Sequence, residues 1–270
     1  MIADSLKSLL KLALHPRRAA IKAEPRPRPL IILGNGPSLN DTMADHAAAL
    51  RANPLMAVNF FANSPVFSEL KPEFYVLADP HFFDSAADPN VSRLLEALEA
   101  VDWPMTLFVP FGARCSIKNG IVAVKRYPMT AIEGAPALER AAYSLRLGMP
   151  RPRNVLIPAI MVGAWLGFGE IYIVGADHTW PRTVSVNERN EVVSVQPHFY
   201  KEDERELDRI RVTYLGVRLH ELLDSWRIAF GSYHRIRRWA DGRGLKIFNA
   251  TTPESFIDAF ERRPLPHERD

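Results

Sequence analysis

Leu30-Ile31-Ile32-Leu33-Gly34-Asn35-Gly36-Pro37-Ser38 is the stretch that decides the fold. Four branched apolar residues without polar alternation fit a strand buried on both faces, as in a parallel sheet. The glycines that follow end the strand in a tight turn, and Ser38 stands where it can N-cap a helix. Working outward, residues 41–51 are Ala-rich and helical, and Leu55 to Asn59 is a second strand. Residues 67–70 predict a helical turn, 74–78 a third strand ending at Asp79-Pro80, and 92–101 a helix. Residues 105–109 and 121–124 predict strands, 157–168 a buried helix, and 170–174 a strand ending at Gly175-Ala176-Asp177-His178. Two helical stretches follow at 204–225 and 230–241, then a strand at 245–249 and a helix at 253–262. Repeated strand–helix alternation predicts an α/β fold with a Rossmann-like, doubly wound, mainly parallel sheet. The polar residues 181–203 lack a period and predict a lid.

Upstream of the first strand the pattern differs. Leu6, Leu9, Leu10 and Ala13 share one helical face, and Lys7 and Lys11 share another. Two readings of this amino-terminal amphipathic helix stand side by side. Its apolar face meets anionic lipid, with residues 3–22 as a peripheral membrane contact, or it packs on the domain or on a neighbouring subunit of a homo-oligomer. The Pro/Arg stretch 23–29 reads as a stiff linker. The expected organisation is therefore 1–29 as helix and linker, and 30–263 as one ligand-binding α/β domain.

Composition narrows the classes. The chain has 270 residues, 47% hydrophobic and 24% charged, enough for a sizeable core. A formal charge of +3, without a basic stripe interleaved with aromatics, argues against nucleic acid as a partner. The single cysteine, Cys115, excludes an internal disulfide and a Cys-based zinc site, and is expected to be a buried, inert thiol. No signal peptide or spanning segment is evident, so a cytoplasmic protein is expected, peripheral at the inner face of the membrane if the lipid reading holds.

In open α/β sheets, ligands sit beyond the carboxyl ends of the strands. Those ends carry Asn35, Asn59, Asp79 and Asp177-His178. Gly34 and Gly36 let backbone approach a phosphate, and Ser38 opens a helix whose N–H groups favour an anion. The turn lacks both the full G-x-G-x-x-G spacing and the P-loop lysine. Asn59 can donate and accept toward a base or ribose, or cap the next segment. Asp79 can accept from a ribose hydroxyl or bind a metal, or serve as a turn residue before Pro80. His198 and Tyr200, in the lid segment, are candidates for the catalytic set, His198 as general base. His178 is a second catalytic candidate. No compact metal-ligand spacing and no G-x-S-x-G elbow is present.

These residues resemble a family. Ile31 to Leu39 is similar to the opening strand and turn of the small bacterial sialyltransferases, glycosyltransferase family 42, and Ala164 to Asp177 is similar to that family's helix and strand ending in Gly-x-Asp. Val58-Asn59-Phe60 matches its second-strand asparagine, Asp79-Pro80 stands where it has Asn-Pro, and Arg238 to Pro253 resembles its closing helix, strand and turn. Arg153-Asn154-Val155 stands near the place of its Arg-x-Thr-Ser stretch. Related motifs occur in the motility-accessory flagellin glycosyltransferases and in a group that includes pterin diphosphokinases.

The resemblance implies a variant GT-A fold and a CMP-activated nonulosonic (sialic-type) acid donor, with no cofactor or metal required. It implies Asn35 and Gly36 at the donor phosphate and ribose, Asn59 and Asp79 at the nucleotide, and Gly175 with Asp177 at the ribose. The expected activity is glycosyl transfer to a surface glycan, a lipid-linked glycan or flagellin. Two rival readings are an ATP- and magnesium-dependent diphosphokinase on a pterin-like substrate, with Asp79 and Asp177 as metal ligands, and a non-catalytic nucleotide-binding component of a glycan-assembly complex.

Overall fold

The computed structural model describes residues 1–84, 88–194 and 216–266. Its centre is an eight-stranded sheet in which every pairing is parallel. In chain order the strands are β1 (Leu30–Leu33), β2 (Leu55–Val58), β3 (Phe74–Val76), β4 (Met105–Pro110), β5 (Val122–Tyr127), β6 (Glu170–Val174), β9 (Lys246–Asn249) and β10 (Glu261–Arg262). A separate antiparallel hairpin pairs β7 (Ser185–Val186) with β8 (Val192–Val193). The spatial order is β10-β9-β6-β1-β2-β3-β4-β5. The chain therefore builds outward from β1 in one direction through β5, then returns to β6 on the other flank of β1. That reversal places the topological switch between β1 and β6.

Every residue of β1 is fully buried, because helices cover both faces. Side chains alternate across the sheet. Leu30 and Ile32 join the layer containing α7 (Pro136–Ser144), α8 (Leu156–Trp165) and α9 (Leu219–Asp241). Ile31 and Leu33 join the opposite layer, with α2 (Leu39–Asp45), α3 (Ala47–Ala52), α4 (Val66–Leu70) and α6 (Pro89–Glu99). Cys115 is half-buried against this second layer. α8 is apolar nearly all round, which suits a helix buried on the sheet. The edge strand β5 exposes Lys125 and Arg126, charges that discourage edge-to-edge pairing.

The expected doubly wound α/β fold is observed, with local corrections. The helix expected at 41–51 is two short helices that meet at His46. α5 (His81–Asp84) and α7 were not foreseen; α7 begins at Pro136, whose ring suits a first helical turn. α9 is continuous across residues 226–229, where a gap between two helices was expected. Residues 253–262 form bends and the short strand β10 rather than a helix. There Asn249 donates to Ile257 O (3.1 Å) and Phe256 N to Asp177 O (2.9 Å), tying the segment to the strand ends instead of to itself.

The amino-terminal helix α1 (Ile2–Leu14) forms as expected but docks by its polar edge. Ser8 Oγ donates to Glu133 O (2.7 Å), Ser5 Oγ accepts from Ala135 N (2.9 Å), and Lys11 Nζ donates to Ala131 O (3.1 Å). Leu6, Leu9, Leu10 and Ala13 stay outside. The chain before β1 also packs: Ala19 and Ile21 are buried, and in the stretch read as a linker Arg26 bridges to Phe168.

Candidate functional site

β1 and β6 run side by side, Leu33 opposite Val174, so their following turns meet at once. Gly34 N donates to Val174 O and Gly36 N to Gly175 O, both at 2.8 Å. A Cβ on Gly36 would lie 1.9 Å from Asp177 Oδ2, and Gly175 itself has φ +62°. The glycines are thus required by the crossing of two backbones. The N–H groups of Gly34 and Gly36 are committed to the carbonyls of Val174 and Gly175.

Ser38 also differs from its expected capping role. Its hydroxyl makes no cap on α2 and instead donates to Asp177 Oδ2 (2.8 Å), while its N–H donates to Asp177 Oδ1 (3.3 Å). The Asp177 carboxylate therefore occupies the start of α2, where the helix dipole favours negative charge. Burial pushes its pKa above the ordinary value, opposed by the Ser38 hydrogen bonds and reinforced by nearby Asp41.

Between the strand ends lies a cavity of ≈310 Å³. Gly34, Asn35, Gly36, Asn59, Asp79, Gly175, Asp177 and His178 all line it; Ser38 stands behind Asp177. The structure thus gathers the sequence-predicted residues of four strand ends at one rim, beside the topological switch. His198 and Tyr200 lie outside the described residues, as does the second half of the expected lid. Its first half, 181–194, holds the β7–β8 hairpin, where Val192 packs with Trp226 and Trp180.

Three amides give the cavity its chemical character. Asn35 Nδ2 donates to Val58 O (3.2 Å), leaving Oδ1 buried without a protein partner. Asn59 Oδ1 is likewise buried and unpartnered, on a residue held at φ +48°. Asn154 presents the opposite end. Its Oδ1 accepts from Leu156 N (3.0 Å) and Tyr233 Oη (2.9 Å), so buried Nδ2 is the group without a partner. Buried polar groups left unpaired by the protein are uncommon and concentrate where a ligand or an ordered water completes them.

Asn154 was not singled out for a role by sequence reasoning, and neither was the group that orients it. Tyr233, on α9, directs its one proton to Asn154 Oδ1, so its oxygen accepts from His178 Nε2 (2.8 Å). This assigns the Nε2–H tautomer to His178. Burial drives the His178 pKa down to about 3 and pushes the Tyr233 hydroxyl upward, so both are neutral near pH 7. The His178 ring stacks on Trp180 (centroids 4.1 Å, interplanar 30°), with Phe230 edge-on. His178 is therefore buried, and its Nε2 is engaged by Tyr233. The available signal was Trp226, Phe230 and Tyr233 at i, i+4, i+7 on one face of α9.

Asp79 is exposed at the cavity edge and accepts from His81 N (2.9 Å). Arg153 is exposed at the mouth, beside the amino end of α8. Among the described residues, no three His, Cys, Asp or Glu side chains cluster so as to hold a metal ion. None of the described helices is long and apolar enough to cross a membrane.

No family model matches the sequence, and no curated protein is significantly similar to it. Among solved structures, the MAf glycosyltransferase from Magnetospirillum magneticum AMB-1 superposes with a TM-score of 0.51 at 14% identity. The match covers 92% of this chain but 34% of that protein, so the chain spans about a third of the length of its structural neighbour. The two share a Rossmann-like α/β fold.

Proposed function

We propose that the cavity binds a nucleotide-activated sugar and that the chain is a glycosyltransferase, with a CMP-linked nonulosonic acid as the donor. The observation that carries this reading is the set of three unpartnered amide ends around one cavity at the switch point. Asn35 Oδ1 and Asn59 Oδ1 are acceptors, suited to an exocyclic base amine and ribose hydroxyls. Asn154 Nδ2, Arg153 and the amino end of α8 are donors, suited to a phosphate. The cavity is at the small end of the usual range of about 300–1,000 Å³, which favours one nucleotide over a dinucleotide.

In the transfer, the bond from anomeric carbon to phosphate oxygen breaks as the acceptor hydroxyl oxygen attacks that carbon. Charge then grows on the departing phosphate, where Asn154 and Arg153 stabilise it without reorganising. The His178–Tyr233 pair holds Asn154 for this task. A base takes the acceptor proton, and His198 is the proposed group. The acceptor is a surface glycan, a lipid-linked glycan or flagellin. A magnesium-dependent diphosphokinase fits less well, because both Asp177 oxygens already take Ser38 donors.

A thermal-shift panel of CMP, UDP, GDP and ATP, each with and without magnesium, tests this. CMP at about 100 times its dissociation constant is expected to stabilise by about 2.7 kcal/mol without magnesium. A shift confined to ATP with magnesium would overturn the reading. Asn59→Gly is expected to weaken CMP binding about ten-fold while stabilising the free protein by about 1 kcal/mol, because it relieves the positive φ. Loss of stability with affinity unchanged would remove Asn59 from the site.

A further inference from the structure

The amino-terminal helix is attached to the protein in a way that leaves its apolar side facing out. Three polar side chains, Ser5, Ser8 and Lys11, fasten α1 to residues 131–135. Leu12, on the same edge, packs on the core. At about 100° per residue, Ile2, Leu6, Leu9, Leu10 and Leu14 fall on the remaining arc. They are 76%, 63%, 50%, 59% and 65% exposed. An ordinary surface helix buries such a stripe and exposes its serines; here that arrangement is reversed.

Charge identifies what the stripe meets. Lys7 lies at its border, and exposed Arg17 and Arg18 follow Leu14 at once. Arg18 and Arg243 lie close enough to Arg146 to add to the effect of burial in depressing its pKa, so arginines gather beside the segment after α1. Acidic charge nearby is neutralised: Asp4 pairs with the terminal amine (3.0 Å), and Glu24 with Lys22 (3.0 Å). An apolar stripe beside surplus cationic charge matches the interface of an anionic bilayer.

We infer that α1 is an interfacial membrane anchor: Ile2, Leu6, Leu9, Leu10 and Leu14 enter the acyl boundary of an anionic leaflet while Arg17 and Arg18 hold its headgroups. This inference stands apart from the nucleotide reading, since α1 contributes nothing to the cavity lining. It gives the protein a second, non-catalytic binding surface for lipid.

The test is flotation of the full chain with phosphatidylcholine vesicles, with and without phosphatidylglycerol. Binding is expected only with phosphatidylglycerol. Leu6→Ser/Leu10→Ser should weaken it about ten-fold or more, and Arg17→Glu/Arg18→Glu should weaken it comparably. Neither pair should change the CMP shift, and the serine pair should leave the unfolding midpoint unchanged, because Leu6 and Leu10 lie outside the core. Undiminished binding by the serine variant would overturn the anchor. So would failure of the wild type to float, including the case where light scattering shows a dimer that the serine variant abolishes, which would assign the stripe to a second copy.

Discussion

As the pH is lowered from 6.5, unfolding free energy is expected to lose about 1.4 kcal/mol per pH unit to one group, His178, until about pH 3. Burial holds its folded-state pKa near 3, below the unfolded value of 6.5. The unfolded chain thus binds a proton that the folded chain refuses. Stability from the neutral imidazole is complete above pH 6.5 and is lost as the pH falls toward the folded value. Asp177 acts in the opposite sense: its raised pKa means stability is lost as pH rises above the ordinary 3.8. Denaturation across pH 3–7 on His178→Asn separates the two, since asparagine tolerates the φ of +51° at this position. The variant should be less stable at pH 7 by about 1–3 kcal/mol, having lost the bond to Tyr233. Its curve below 6.5 should be shallower than wild type by one proton. Parallel curves would show that His178 does not stay neutral on folding.

Gly34→Ala should destabilise the protein by about 3 kcal/mol, seen as a lowered urea midpoint with unchanged slope. The added Cβ would stand 2.4 Å from Gly175 O, 2.8 Å from Gly175 C and 3.0 Å from Val174 O. All three atoms are backbone, so no side chain can turn aside. Relief requires β1 and β6 to separate, which breaks the Gly34 N–H bond to Val174 O and disturbs the cavity rim. Gly120→Ala is the matched control: its Cβ meets nothing within 4 Å, and its effect should stay within about 0.5 kcal/mol. Equal effects at the two positions would mean that the turn tolerates a side chain and that its glycines serve something other than close approach.

Much of the site was legible before any tertiary information. Asn35, Asn59, Asp79 and Asp177 could be found because each follows a short apolar run, and parallel strands send their carboxyl ends to one edge. What they do there was less legible. The glycine turn suggested close backbone approach to a phosphate, yet its N–H groups bond Val174 and Gly175, more than a hundred residues away in sequence. Ser38 suggested a cap, yet Asp177 claims it. Asn154 carried little local signal, since its value lies in which end of its amide is free. That is decided by Leu156 beside it and by Tyr233, 79 positions along the chain.

The amino acid order by itself determined seven strands of the central sheet, β1 to β6 and β9, and that polar residues follow four of them; these depend on local hydrophobic period and turn chemistry. It also determined that α1 has an apolar and a polar side. Tertiary structure alone decided that β1 lies between β2 and β6, which donors and acceptors remain unmet, and which side of α1 turns inward. The reason is physical. Hydrophobic periodicity is a property of neighbours in the chain, whereas a hydrogen bond is settled by whichever group arrives in space, and the groups that settle this site come from distant strands and from α9.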